Sequence, residues 1–322
     1  MIPVIAILNG VLTGDTAAAD EVGVGAILGA PFMLATIAMF LIGGSVLYFR
    51  DRRTFGGEFH FNAESTRRDL SFFLVGYTLA FVAALIDNRP VAVGIGVLLV
   101  VLYVVYVYRS LQSGELIEGG DLDELHLGAI LEGGERPFPS VGVDRDLSGD
   151  PGRGIVLLQT LIALGIIILG AHLFVDEVRW AAGTLGIPDA VLALLLAPLA
   201  TELPEKFNSV LWISRDKDTL AIGNISGAMA FQGTLPVTIG ILFTSWNLTL
   251  EWGTTGFLNG FSVILAVVSG GILYLRARSV DEGNMHPLPF LVGGLFYLLF
   301  IGIVLWHVFA VPGFSVAGGA HG

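Results

Sequence analysis

Apolar residues in this chain come in long blocks, with the polar residues gathered between them. Val22–Phe49, Leu70–Ile86, Val91–Tyr108, Gly154–Val175, Ala190–Ser214, Leu220–Phe243, Gly256–Leu275 and Leu288–Val311 are such blocks. Each meets or approaches the roughly 20 apolar residues that carry an α-helix across a bilayer. None alternates apolar with polar residues as a barrel strand would. The pattern therefore predicts an all-α, polytopic transmembrane helical bundle. Ile2–Leu12 is apolar but too short to cross, and reads as the second half of a span.

Composition supports this class. The chain is 54% hydrophobic and 14% charged, against roughly 25% charged residues in soluble domains. No basic region precedes the first apolar stretch, so no signal peptide is read. The absence of cysteine excludes a thiolate metal site. A formal net charge of −12 argues against nucleic-acid binding. Much of that acid lies in one segment, Arg109 to Arg153, which carries Glu115, Glu118, Asp121, Asp123, Glu124, Glu132, Glu135, Asp144, Asp146 and Asp150. Its Asp121-x-Asp123 fragment lacks the central glycine and terminal glutamate of a calcium-binding loop. The segment reads as a solvated linker between two halves.

The basic residues orient the chain. If every block crosses once, Arg50, Arg52, Arg53, Arg67, Arg68, Arg109, Arg136, Arg145, Arg153, Arg215, Lys217, Arg276 and Arg278 share one side. Only Arg89 and Arg179 fall on the other, and Lys206 lies inside a span. The richer side is expected to be cytoplasmic, with the central loop inside and the C-terminus outside.

The two halves resemble each other. GVGAILGAPFML from Gly23 aligns with AIGNISGAMAFQ from Ala221, so that Gly25, Gly29 and Ala30 match Gly223, Gly227 and Ala228. GVLLVVLYVVYV from Gly96 likewise matches GGLFYLLFIGIV from Gly293. An odd number of spans before the linker makes the second half run opposite to the first. Such inverted repeats are a mark of secondary transporters, whose sites lie near the bilayer midplane.

Polar residues inside the spans carry the chemistry. Pro198-Leu-Ala-Thr201-Glu202-Leu-Pro204-Glu205-Lys206 puts two carboxylates and an ammonium in an apolar helix. Each charge there costs about 3 kcal/mol on insertion scales. Pro204 also frees the carbonyl of Ala200. Thr201 and Glu205 share a helix face, and Glu202 lies beside them. Glu202 and Lys206 are spaced for an i,i+4 ion pair, which would make Glu202 structural. For Glu205 the bland alternative is an acid paired to a base elsewhere. A hydroxyl, a freed carbonyl and carboxylates are hard oxygen donors, suited to Ca2+ or Na+. In the next span Asn224, Ala228 and Gln232 form one stripe, either as ion ligands or as packing hydrogen bonds. Gly223 and Gly227 form a small-residue face expected to admit a neighbouring helix. His172, His286 and His307 stand near span ends and read as interfacial.

Ala200-Thr201-Glu202-Leu203-Pro204-Glu205, followed by Gly223-Asn224-Ile225-Ser226-Gly227-Ala228-Met229-Ala230-Phe231-Gln232, resembles the second α-repeat of the sodium/calcium exchanger superfamily of cation antiporters. The resemblance implies two inverted five-helix halves with both termini outside. It implies Thr201 and Glu205 as ion ligands, and it places Gln232 and Ala228 where the family usually has a ligating Asn or Asp and a serine. The chain departs from the pattern at Glu202, where the family has serine, and at Lys206. In the first repeat Ala30 and Leu34 offer no side-chain ligand. That repeat's own Thr-Ser-x-Pro-Glu segment is not matched, so the first half is expected to lack about one and a half helices.

These readings divide the chain into 1–108, an N-terminally incomplete first half; 109–153, an acidic cytoplasmic linker; 154–311, the second half; and 312–322, a flexible tail. They predict a multi-pass plasma-membrane protein with inorganic cations and the lipid bilayer as partners. It would be a secondary active antiporter, not an enzyme and without a cofactor, exchanging Ca2+ for Na+ or H+. The ion-binding candidates are Thr201, Glu202, Glu205, Asn224 and Gln232, with Glu205 and Thr201 the proposed Ca2+ or Na+ ligands. Two alternatives stand beside it: a non-transporting membrane protein on the same scaffold, and a proton-coupled carrier of another solute in which Lys206 repels divalent ions.

Overall fold

The computed structural model of the chain describes residues 16–113, 153–186, 189–280 and 284–311, without some of the side chains at 16–22 and between 153 and 205. Ile2–Leu12, nearly all of the acidic linker, the 312–322 tail and the His172 side chain lie outside the described residues. The elements are α1 (Thr16–Met33), a π-turn (Leu34–Ala38), α2 (Met39–Phe49), β1 (Phe59–His60), α3 (Ala63–Leu85), α4 (Arg89–Gln112), α5 (Arg153–Leu185), α6 (Asp189–Ser214), α7 (Asp218–Gln232), α8 (Leu235–Phe243), α9 (Thr255–Arg278), β2 (Asn284–Met285) and α10 (Leu288–Ala310). Every apolar block read as a span is helical. Among the described residues, six helical segments are long and apolar enough to cross a membrane: Gly23–Phe49, α3, α4, Asp218–Phe243, α9 and α10.

Helix starts follow from local capping chemistry. The Asn62 side chain accepts from the amides of Glu64 and Ser65, both at 3.0 Å, and so opens α3 seven residues before the apolar run begins at Leu70. Asn88 and Thr254 cap α4 and α9 in the same way, accepting from Val91 and Phe257. Pro90, Pro236 and Pro289 occupy the first turns of α4, α8 and α10, where a missing N–H costs nothing.

Loops meet in two groups, and this fixes the direction of each helix. At the basic end, the loop after α2 meets the α6–α7 turn and the segment before α10. Arg53 pairs with Asp216 at 3.5 Å and with Asp218, and the Thr54 amide donates to Asp216 at 3.0 Å. The His60 amide donates to Asp218 at 2.8 Å, and β1 pairs antiparallel with β2. At the other end the Leu248 amide donates to the Ala84 carbonyl at 3.0 Å, and the Arg89 guanidinium donates to the carbonyls of Leu242 and Thr244 at 2.7 and 3.2 Å. Successive segments therefore alternate direction. α1–α2 ends at the basic face whereas its counterpart α7–α8 begins there, as inverted repeats require. Both are interrupted midway, the first by the π-turn and the second at Gly233–Thr234.

The halves interlock along α1 and α6, and along α3 with α7 and α9. Pro198 leaves the Leu194 carbonyl without its i+4 donor, and Gly29 of α1 packs onto that carbonyl. A Cβ at Gly29 would lie 2.3 Å from it. The close crossing expected at Gly223 and Gly227 is found elsewhere. A Cβ added at Gly223 would meet no described atom within 4 Å, and one at Gly227 would face only the Tyr106 hydroxyl at 3.3 Å. Of the aligned pair Gly227 and Gly29, it is the first-half member, Gly29, that admits a helix backbone. Gly223 and Gly227 lie on a different face of α7 from the stripe that meets α6.

Candidate cation site

Helices α6 and α7 form an antiparallel hairpin closed by the Arg215–Lys217 turn, and its facing side chains run in register. Near the turn, the Asn224 amide donates to the Ser209 hydroxyl at 3.2 Å. Two turns deeper, the Gln232 amide donates to Glu202 Oε1 at 3.3 Å. Between these rungs Lys206 Nζ lies 3.3 Å from Glu202 Oε2. The Asn224–Gln232 stripe thus faces the motif helix. By the register of these rungs Ala228 falls near the level of Lys206.

Burial makes these contacts costly. Glu202 is 6% exposed and Lys206 1%, and Ser209 is fully buried. Both Glu202 oxygens meet donors, which is the condition for keeping a carboxylate away from water. Gln232 is the last residue of α7, at the point where that segment breaks. Pro236 cannot return a hydrogen bond to the Gln232 carbonyl. Beyond the break the Thr234 hydroxyl donates to the Ala230 carbonyl at 2.8 Å, and the Thr238 hydroxyl to those of Thr234 and Gly96. A discontinuous helix with polar side chains at its break is the arrangement on which midplane ion sites are built.

Thr201 and Glu205 lie on the helical backbone of α6, but their side chains lie outside the described residues. Of the expected set the structure brings Gln232 to Glu202, with Lys206 beside them, whereas Asn224 meets Ser209 two turns away. Among the described residues, no three His, Cys, Asp or Glu side chains gather into a metal-holding cluster. His307 is buried against Trp252 and Phe257, with ring centroids at 4.5 and 5.4 Å, at the end opposite the basic face.

A second buried carboxylate escaped the sequence reading. Asp69 of α3, 3% exposed, accepts from the Ser226 hydroxyl at 2.7 Å, from Arg68 at 3.3 Å and from the Tyr106 hydroxyl. It ties α3 and α4 to the face of α7 that carries Ser226. Placing the start of the span at Leu70 left Asp69 among the loop residues. The Asn62-Ala63-Glu64 capping pattern, which moves the helix start forward, was the available signal.

Comparison with known proteins bears on the family and the fold. Residues 155–309 match the family described as sodium/calcium exchanger protein. An uncharacterised membrane protein of Methanocaldococcus jannaschii is 26% identical over 198 residues, 61% of this chain and 54% of that one. A sodium/calcium exchanger of Methanosarcina acetivorans is 32% identical over 72 residues, covering 22% and 21% of the two chains. The chain thus spans about half the length, or less, of the curated relatives it matches. The crystal structure of the H+/Ca2+ exchanger CAX superposes with a TM-score of 0.60 at 16% identity, covering 95% of this chain and 75% of that one. At that identity the likeness speaks for the fold.

Proposed function

The chain is a membrane protein of the sodium/calcium exchanger superfamily, and we propose that it is a secondary active cation antiporter, exchanging Ca2+ for Na+ or H+ by alternating access at the α6–α7 hairpin. The observation that carries this reading is the polar ladder Glu202–Gln232 and Ser209–Asn224, buried on its α6 side, along a helix that breaks at Gln232. Buried charge within a span is expensive and is retained where ions or protons pass. In this reading Glu205 supplies the charge that compensates a dehydrated cation, Thr201 supplies a hydroxyl oxygen, and the Ala200 carbonyl freed by Pro204 adds another. Gln232 contributes an amide oxygen from the facing helix, and Asn224, two turns nearer the Arg215–Lys217 turn beside Ser209, would meet a cation only on its way to the site. One carboxylate cannot neutralise both transported ions together, so occupancy by one excludes the other and exchange is obligatory. The protein would lie in the plasma membrane with the linker cytoplasmic and the C-terminus outside.

Na+-gradient-driven 45Ca2+ uptake into vesicles, normalised to inserted protein, tests the site. Glu205→Gln keeps volume and a carbonyl oxygen but removes the charge, and should abolish uptake while leaving insertion normal. Glu202→Gln should weaken uptake less, because Glu202 already faces Lys206. Wild-type uptake by inserted Glu205→Gln would remove Glu205 from the site. No uptake by the wild-type chain would favour a non-transporting scaffold, in which the Glu202–Lys206 pair is purely structural.

A further inference from the structure

Lys206 is the least expected side chain in the bundle. It is one of the largest side chains under 2% exposed, and it sits in α6, the helix of the apolar block Ala190–Ser214. Lysines are almost never fully buried unless paired. In membrane helices they usually extend the ammonium to the nearer interface. Lys206 is too deep for that. Eight residues separate it from Ser214 at the basic end of α6, about 12 Å along the axis. Helical side chains also lean toward the N-terminus, so the ammonium points away from the basic face and toward Glu202.

The pair has little value as a stabilising device. Buried ion pairs are often matched or exceeded in stability by apolar residues of the same volume. What the ammonium does is occupy a carboxylate. Glu202 Oε2 receives Lys206 Nζ and Oε1 receives the Gln232 amide, both at 3.3 Å. With a donor on each oxygen and an ammonium beside it, Glu202 offers a cation less charge and fewer open lone pairs than it would if Lys206 withdrew. The Gln232 amide, held through its nitrogen, keeps its carbonyl oxygen as the acceptor end.

We infer that Lys206 is a tethered cation that takes Glu202 out of the ligand set and thereby biases the site toward monovalent and against divalent cations. The inference rests on the antiport reading and sharpens its substrate class. Residues 201–206 contain two carboxylates and one ammonium, so the segment presents one net negative charge in place of two. A divalent ion loses twice as much as a monovalent one from a positive charge held nearby, and it loses the second carboxylate as well.

Equilibrium binding of 45Ca2+ and 22Na+ to the purified full chain in detergent tests this. Lys206→Met should raise Ca2+ affinity relative to Na+ by at least about tenfold. Adding Glu202→Gln to Lys206→Met should remove that gain, because the released carboxylate is its source. Lys206→Gln, which keeps a donor for Glu202 without the charge, serves as a second charge-removing variant if the Met variant does not insert. An unchanged Ca2+-to-Na+ ratio in inserted charge-removing protein would overturn the inference, leaving antiport intact if the wild type binds either ion. Ca2+ binding gained only on removal of Lys206 would support the inference and count against Ca2+ as a substrate of the wild type. No binding by any variant would overturn both.

Discussion

At the scale of single residues, the positions that matter combine a backbone group left open with a neighbour small enough to reach it. Pro198 opens the Leu194 carbonyl, and Gly29 is the residue that packs onto it. Neither residue explains the contact alone. Adding one methyl group there isolates the effect. Gly29→Ala places a Cβ against backbone, 2.3 Å from the Leu194 oxygen and 2.7 Å from the Pro198 ring, and backbone cannot yield as a side-chain tip can. Gly44→Ala in α2 places its Cβ where no atom lies within 4 Å. The second substitution should be neutral or stabilising by up to about 1 kcal/mol, since alanine is the better helix former. The first should destabilise by about 1–3 kcal/mol through overpacking. Thermal unfolding of the two variants in detergent, followed by the loss of monodisperse protein, measures the difference, and equal midpoints would refute the close crossing. The Glu202–Lys206 pair was legible from its i,i+4 spacing, and the Asn224–Gln232 stripe from its i,i+8 spacing. Asp69 and Gly29 were not, because their roles depend on partners 157 and 165 positions away, on Ser226 and Leu194.

At the scale of elements, hydropathy located every helix but misplaced ends and missed breaks. Caps and prolines govern both, and they contribute nothing to mean hydropathy. The π-turn at Leu34–Ala38 follows Pro31, and its surroundings hold it in place. Ser269 of α9 donates to the Ala35 carbonyl at 2.6 Å, and Gly293 of α10 packs directly on the Thr36 carbonyl. The knot at the basic end was likewise invisible, since it joins Arg53 and Thr54 of the first half to Asp216 of the second, 162 positions beyond Thr54. It is also sensitive to pH. Burial pushes the Asp216 carboxyl up, but hydrogen bonds from the Thr54 amide and hydroxyl and the charge of Arg53 outweigh it, and the group sits below its ordinary carboxylate range. A carboxylate whose folded pKa is depressed binds protons less readily than in the unfolded chain. Its contribution is therefore present above the ordinary carboxylate value, about 4, and is lost as pH falls through the lower, folded value. Hydrogen exchange at the Thr54 amide, corrected for its intrinsic rate, should show protection at neutral pH that fades in that acid window. Asp216→Asn should have less protection at neutral pH and little further change on acidification. Protection in the wild type that persists unchanged to the acid end of that window would show that the carboxylate does not hold the loop.

At the scale of the whole molecule, two independent readings of direction coincide. The first is the distribution of basic residues, Arg50 through Arg278 on one side against Arg89 and Arg179 on the other. The second is geometric and knows nothing of charge: Arg53 meets Asp216 and Asp218 and β1 meets β2 at one end, while Leu248 meets Ala84 and Arg89 meets Leu242 at the other. Loops that share a side by counting spans are the loops that touch. The arrangement of faces thus follows from packing, and only the choice of which face is cytoplasmic rests on the charge rule. Arg89, at the end opposite the basic face, donates to the carbonyls of Leu242 and Thr244 at the end of α8. Reporter fusions at Gly134 in the linker and at the C-terminal Gly322 separate the two parts of this argument. Signals on opposite sides, with Gly134 cytoplasmic, are expected. Signals on the same side would mean that one segment between linker and C-terminus does not cross, and α5 and the broken α7–α8 pair would be the segments to examine. Opposite signals with Gly134 outside would leave the packing untouched and overturn only the charge rule. The α6–α7 hairpin would then open, through its Arg215–Lys217 turn, toward the external solution.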